Sequence, residues 1–194
     1  MTRAARSVNV EEGGFSSARI ERVFFDCFGD SYRTRLLGGA VEPCYQPARD
    51  ERGESLLCYR EDFFASALHE TAHWCIAGAA RRKLHDFGYW YAADGRDAAA
   101  QRKFEAVEDR PQALEWLFSL ACGFGFRLSV DNLDAQGGAL PDTSRFAARV
   151  VAQARHLQHA GLPPRADVFY RALCREFATR LAPSELDFAV TDIC

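Results

Sequence analysis

No stretch of this 194-residue chain approaches the roughly 18 to 20 consecutive apolar residues that a membrane-spanning helix needs. Long basic runs are missing too. Acidic and basic residues are mixed along the chain and the formal net charge is -3, so a direct electrostatic grip on nucleic acid is not expected. The seven cysteines (27, 44, 58, 75, 122, 174, 194) include no C-x-x-C pair and no spacing of a disulfide scaffold. The opening MTRAARSVNVEEGG has two arginines but no apolar segment behind them, so no secretory signal is read there. The thiols are therefore expected to be buried or free in a reducing cytoplasm. Also absent are internal repeats, low-complexity blocks and a glycine-rich dinucleotide fingerprint, which argues against a built-in flavin or nicotinamide domain.

What is present is globular: 48% apolar and 26% charged residues, with phenylalanine unusually frequent at 15 copies. This length fits one sizeable core. Residues 1–15 read as a poorly ordered start and 16–194 as a single domain. Ile20, Val23, Phe24, Cys27 and Phe28 form one helical stripe within Ser16 to Phe28. The Gly-, Pro- and charge-rich stretch from Gly29 to Glu54 reads as a long ordered loop, followed by a strand over Ser55 to Tyr59. A helix is expected from Asp62 to about Ala77, with Gly78 placed to end it and Arg81, Arg82 and Lys83 beyond. Phe87 to Tyr91 reads as extended. Separate helices are expected over Ala98 to Ala106 and from Pro111 to Gly123, because proline suits a first turn. Phe126 to Val130 reads as a strand, and two more helices near Thr143 to His159 and Ala166 to Leu181 close the chain. The sum is a helix-rich α+β single domain with a few short strands.

The helix over Asp62 to Ala77 contains LHETAHWC, an H-E-x-x-H pattern. Residues four apart lie one above the other on a helix, so His69 and His73 can aim ring nitrogens at one point. The surrounding apolar residues place this metal-binding helix in the core, where a site is held rigid. A third ligand decides the chemistry. The pattern H-E-x-x-H-x-x-G-x-x-H is excluded, since Ile76 and Ala79 stand where its glycine and third histidine belong. His85 lies beyond the helix end and reads as a surface or supporting residue. Carboxylates are better placed: FEAVEDRPQALEW offers Glu105, Glu108, Asp109 and Glu115. Two histidines and one carboxylate suit non-haem iron(II), and catalytic zinc also accepts them; spacing alone does not choose the metal.

The stretch from Leu68 to Leu133 resembles the bacterial elongation factor P hydroxylase family. The resemblance rests on HETAHWCIAG with its following RR, DFGYWY, the turn AADGRD, FEAVE, PQALEW and DNL, with TRLLGG and EPCYQPA similar to the family's earlier elements. It departs at Ala93, where the family's turn carries proline, and in its longer polar amino terminus. The resemblance implies an iron-dependent monooxygenase that hydroxylates the modified lysine of translation elongation factor P after β-lysine has been attached. It implies Fe(II) held by His69, His73 and a glutamate, carried over here as Glu108, with dioxygen as co-substrate.

Hydrogen abstraction from an unactivated C–H bond is beyond side-chain acid–base chemistry, which is why a metal is expected. Glu70 is the candidate catalytic carboxylate: general base on metal-bound water in a zinc metallopeptidase, a positioning group in a hydroxylase. A long cationic substrate calls for an aromatic channel with acidic groups at its end. Trp74, Tyr89, Trp90, Tyr91 and Trp116 are candidate walls, with core packing as the alternative for each. Glu115 and Asp131 are candidate ammonium partners, although Asp131 and Asn132 equally suit a turn. The rival classes are a zinc metallopeptidase and a metal-stabilised adaptor that only binds a translation factor.

Overall fold

Among the described residues three strands and five helices follow one another as α1 (Ser17–Tyr32), β1 (Thr34–Ala40), β2 (Cys44–Gln46), β3 (Ser55–Arg60), α2 (Phe64–Ile76), α3 (Ala98–Cys122), α4 (Ser144–Ala160) and α5 (Pro164–Phe177), with short 3₁₀ turns between α2 and α3 and after α5. The computed structural model describes residues 14–50, 52–88, 97–130 and 143–193. The expectations for the first thirteen residues, for Tyr89, Trp90 and Tyr91, and for Asp131 and Asn132 fall outside them.

The stretch expected to be one long loop contains β1 and β2. Together with β3 they form a mixed sheet of order β1-β3-β2, in which β1 runs parallel and β2 antiparallel to the central strand. Gly38 and Gly39 hid β1, because glycine normally weakens a strand. Here glycine is required. A Cβ on Gly38 would come within 2.6 Å of the Tyr59 hydroxyl, Gly39 has φ +88°, and the register shifts between Leu37 and Ala40.

Helix α2 is central. Phe64, Ala67, Leu68, Thr71, Ala72, Trp74 and Cys75 are buried, against α1, α3, α5 and β3. Trp74 is fully buried among Phe24, Phe28 and Tyr32, so it belongs to the core and not to a substrate channel. Trp116 is also core, stacked on Phe126 and edge-on to Phe188. At the carboxyl end of α2, Arg165 Nη2 donates to the carbonyls of Trp74, Cys75 and Ala77 at 3.1, 3.0 and 2.5 Å, and Arg82 Nη1 to that of Ala77 at 2.7 Å. Orphan carbonyls at the negative end of the helix dipole thus meet positive charge.

Helix α3 corrects a second expectation. It runs unbroken through Pro111, starts on Asp97, whose side chain accepts from the amides of Ala99 and Ala100, and ends at the left-handed Gly123. An interior proline costs about 3 kcal/mol. Burial of the whole turn-and-a-half beyond it, with Ala113, Leu114, Trp116, Leu117 and Phe118 in the core, outweighs that cost. The expected strand over Phe126 to Val130 is not formed. The Ser129 N–H and C=O bond the Gln112 side-chain amide at 3.1 and 2.8 Å, so no strand partner is needed. Nor is the start of the segment from Phe87 extended: Asp86 and Phe87 sit in a left-handed turn with φ 46° and 56°.

Candidate metal centre

His69 and His73 project from α2 toward α3, with side chains 23% and 16% exposed, and Glu108 meets them there at 8%. The Nε2 atoms of the two histidines are 3.1 Å apart. Glu108 Oε1 is 3.2 Å from His73 Nε2, and Glu108 Oε2 is 3.4 Å from His69 Nε2. One ligand atom from each residue lies within 4.8 Å of the others.

These residues fit a metal on three counts. Two imidazole nitrogens at contact distance repel unless a proton or a cation separates their lone pairs. An ion about 2.1 Å from each ligand places neighbouring donor atoms about 3.0 to 3.4 Å apart, which is the observed range. Finally, Glu108 Oε2 is buried and accepts no hydrogen bond, an expense that a cation removes. The group can hold a metal ion.

Around it, Glu115 Oε2 lies 2.8 Å from His69 Nδ1. A carboxylate only accepts, so Nδ1 carries a proton, and Nε2, which faces Glu108, is the nitrogen left to bind a metal once its own proton is displaced. Glu115, read from the sequence as an ammonium partner, thus has one oxygen engaged by His69, and it also borders the cavity. Glu105 is instead the acceptor of a 3.4 Å contact from Gln101. Asp109 is paired with Arg149 at 2.8 Å, and His85 is exposed and paired with its neighbour Asp86.

The charges interlock. Burial disfavours the charged form of His69, but its hydrogen bond and attraction to Glu115, with help from Glu108, push its pKa up to about 10 in the metal-free chain. Burial likewise opposes ionised Glu108, yet His73 and His69 hold its pKa down to about 2. Burial raises the pKa of Glu70, against the pull of both histidines.

The centre opens into a cavity of about 590 Å³. Glu70 lines it beside the histidines, with Cys44, Tyr45 and Arg60 from the sheet side, Asp86 and Phe87 from the left-handed turn, and Gln112 and Arg127 from the far wall. Sequence reasoning missed the contributions of β2, the turn and Gln112. Only Gln112 left a signal, standing one helical turn after Glu108.

A helix-rich α+β domain in which two half-buried histidines and a buried glutamate converge has the make-up of a protein that could hold a metal ion. The chain matches the elongation factor P hydroxylase family (EpmC) over residues 23–187. A curated protein of Haemophilus influenzae, named elongation factor P lysine hydroxylase, is 44% identical over 171 residues, covering 88% of this chain and 94% of that protein. This chain belongs to the elongation factor P hydroxylase family.

Proposed function

We propose that this protein hydroxylates a lysine of translation elongation factor P, in its β-lysylated form, using Fe(II) held by His69, His73 and Glu108. The reading rests on the family membership together with one observation: Glu108 directs a buried, otherwise unbonded carboxylate oxygen at two histidine nitrogens on the wall of an open cavity. Bound iron supplies the dioxygen activation that no side chain provides.

The chain's own residues do the rest. Glu115 fixes the tautomer and ring orientation of His69, while Gln112 ties the far wall to α3 through Ser129. Glu70 presents a carboxylate to the cavity beside the ligands, suited to orienting water or the cationic end of a lysine side chain. Trp90 and Asp131 remain the proposed aromatic wall and second ammonium partner. No helix among the described residues is long and apolar enough to cross a membrane.

The test pairs elemental analysis of anaerobically purified protein with the intact mass of β-lysylated elongation factor P after incubation with the protein and dioxygen. The reading expects iron at one per chain and a substrate heavier by one oxygen atom. Stoichiometric zinc with peptide cleavage and no oxygen uptake overturns it.

A further inference from the structure

Cys44 and Cys58 are direct partners across the antiparallel β2–β3 ladder. Opposed residues in such a ladder have Cα atoms about 4.5 or 5.5 Å apart, and both values fall inside the roughly 4.4 to 6.8 Å that a disulfide spans. Direct opposition also places both side chains on the same face of the sheet. Both residues are partly buried free thiols, and Cys44 forms part of the cavity wall beside the metal centre.

We propose that Cys44 and Cys58 are a redox-active pair that closes reversibly to a disulfide when peroxide enters the cavity.

Each sulfur has a distinct part. Gln46, on the same face of β2 two residues on, donates its amide N–H to Cys44 Sγ at 3.7 Å, which helps to hold that sulfur in place beside the cavity. Cys58 is held protonated, its pKa raised to about 12 by burial and then by its hydrogen bond to Cys44. Cys44, at the cavity, is therefore the attacking thiol and Cys58 the resolving one. The Cys44 thiolate attacks one oxygen of hydrogen peroxide: the O–O bond breaks, an S–O bond forms, and hydroxide leaves to become water with the proton Cys44 gave up. Cys58 sulfur then attacks the sulfenic sulfur of Cys44, the S–O bond breaks, and the second hydroxide leaves as water with the Cys58 proton. Two thiols lose two electrons and one peroxide becomes two waters. A small thiol reductant reverses the bond by exchange, as expected of a transient disulfide in a reducing compartment.

Trypsin cuts after Arg49 and Arg52, between the two cysteines, so their disulfide joins two otherwise separate peptides. The reduced full-length chain is treated with stoichiometric hydrogen peroxide, alkylated with N-ethylmaleimide in denaturant, digested and weighed. The proposal expects the linked Cys44–Cys58 peptide, the loss of two alkylatable thiols per chain, and recovery of both after dithiothreitol. In Cys58→Ser, Cys44 should stop at a sulfenic acid that dimedone traps. In Cys44→Ser, Cys58 should stay alkylatable. Unlinked, fully alkylated Cys44 and Cys58 peptides from the peroxide-treated natural chain overturn the proposal, as does Cys58 oxidising equally fast without Cys44. The readout requires neither metal nor substrate, so its failure is separable from failure of the hydroxylase reading.

Discussion

Glu115 reaches across from α3 to hold His69 Nδ1 at 2.8 Å, and this contact turns the opposite nitrogen of the ring toward Glu108. In the proposed centre one carboxylate would therefore bind the metal and the other aim its histidine. Glu108→Gln is expected to abolish stoichiometric metal binding while keeping the fold, since the amide preserves shape. Glu115→Gln is expected to weaken metal affinity by about 10- to 100-fold, the usual cost of losing such a supporting contact. Glu105→Gln should bind metal as the natural protein does. Metal analysis after gel filtration, followed by competition with a chelator, ranks the three.

Metal uptake is expected to release a proton. His69 has a pKa near 10 in the metal-free chain, against an ordinary value of 6.5, so at neutral pH the metal must displace its proton. Affinity should then rise by up to about tenfold per pH unit between neutrality and pH 10. Calorimetry in buffers of different ionisation enthalpy counts the protons, and none released at pH 7 contradicts the assignment.

Folding stability without metal should follow the opposite course above neutrality. The raised His69 pKa contributes stability that is complete below pH 6.5 and lost as pH rises through 10. The depressed Glu108 pKa contributes above 4.5 and is lost as pH falls toward 2. Denaturant titrations of the metal-free chain should peak between these limits, and added metal should move the optimum upward.

Glu70→Gln separates the two enzyme classes. If Glu70 positions water or substrate, the variant keeps its metal and transfers oxygen about 10- to 100-fold more slowly. Peptide hydrolysis present in the natural protein and lost in the variant would instead identify Glu70 as a peptidase base.

The left-handed turn can be tested through Asp86. Its Oδ1 accepts the Tyr45 N–H at 2.7 Å, and its φ of 46° suits aspartate or asparagine far better than alanine. Asp86→Ala is expected to cost about 1 to 3 kcal/mol by loss of that bond and by backbone strain. Asp86→Asn should recover most of it, as judged by urea denaturation.

The parts of this fold that were legible in the sequence are those governed by local periodicity. The stripe of α1, the apolar face of α2 with its two histidines, and the short strand β3 each announce themselves within one window. The missed parts are decided by distant neighbours. Pro111 reads as a helix start until the burial of everything after it is known. Ser129 reads as a strand residue until Gln112 takes both its backbone groups. Gly38 reads as loop until Tyr59 occupies the space that a side chain would fill. At the candidate site, the two histidines are local and visible, whereas the different contacts that Glu108 and Glu115 make with them exist only across the α2–α3 interface.

That α3 continues through Pro111 has a mechanical consequence. Glu108 and Glu115 stand about two turns apart on a single rigid rod, so any slide or tilt of that rod moves both carboxylates together. In the proposed centre the grip on the ion and the aim of His69 would then fail or survive jointly, and thermal breathing should yield a loaded or an emptied centre with few half-ligated forms between.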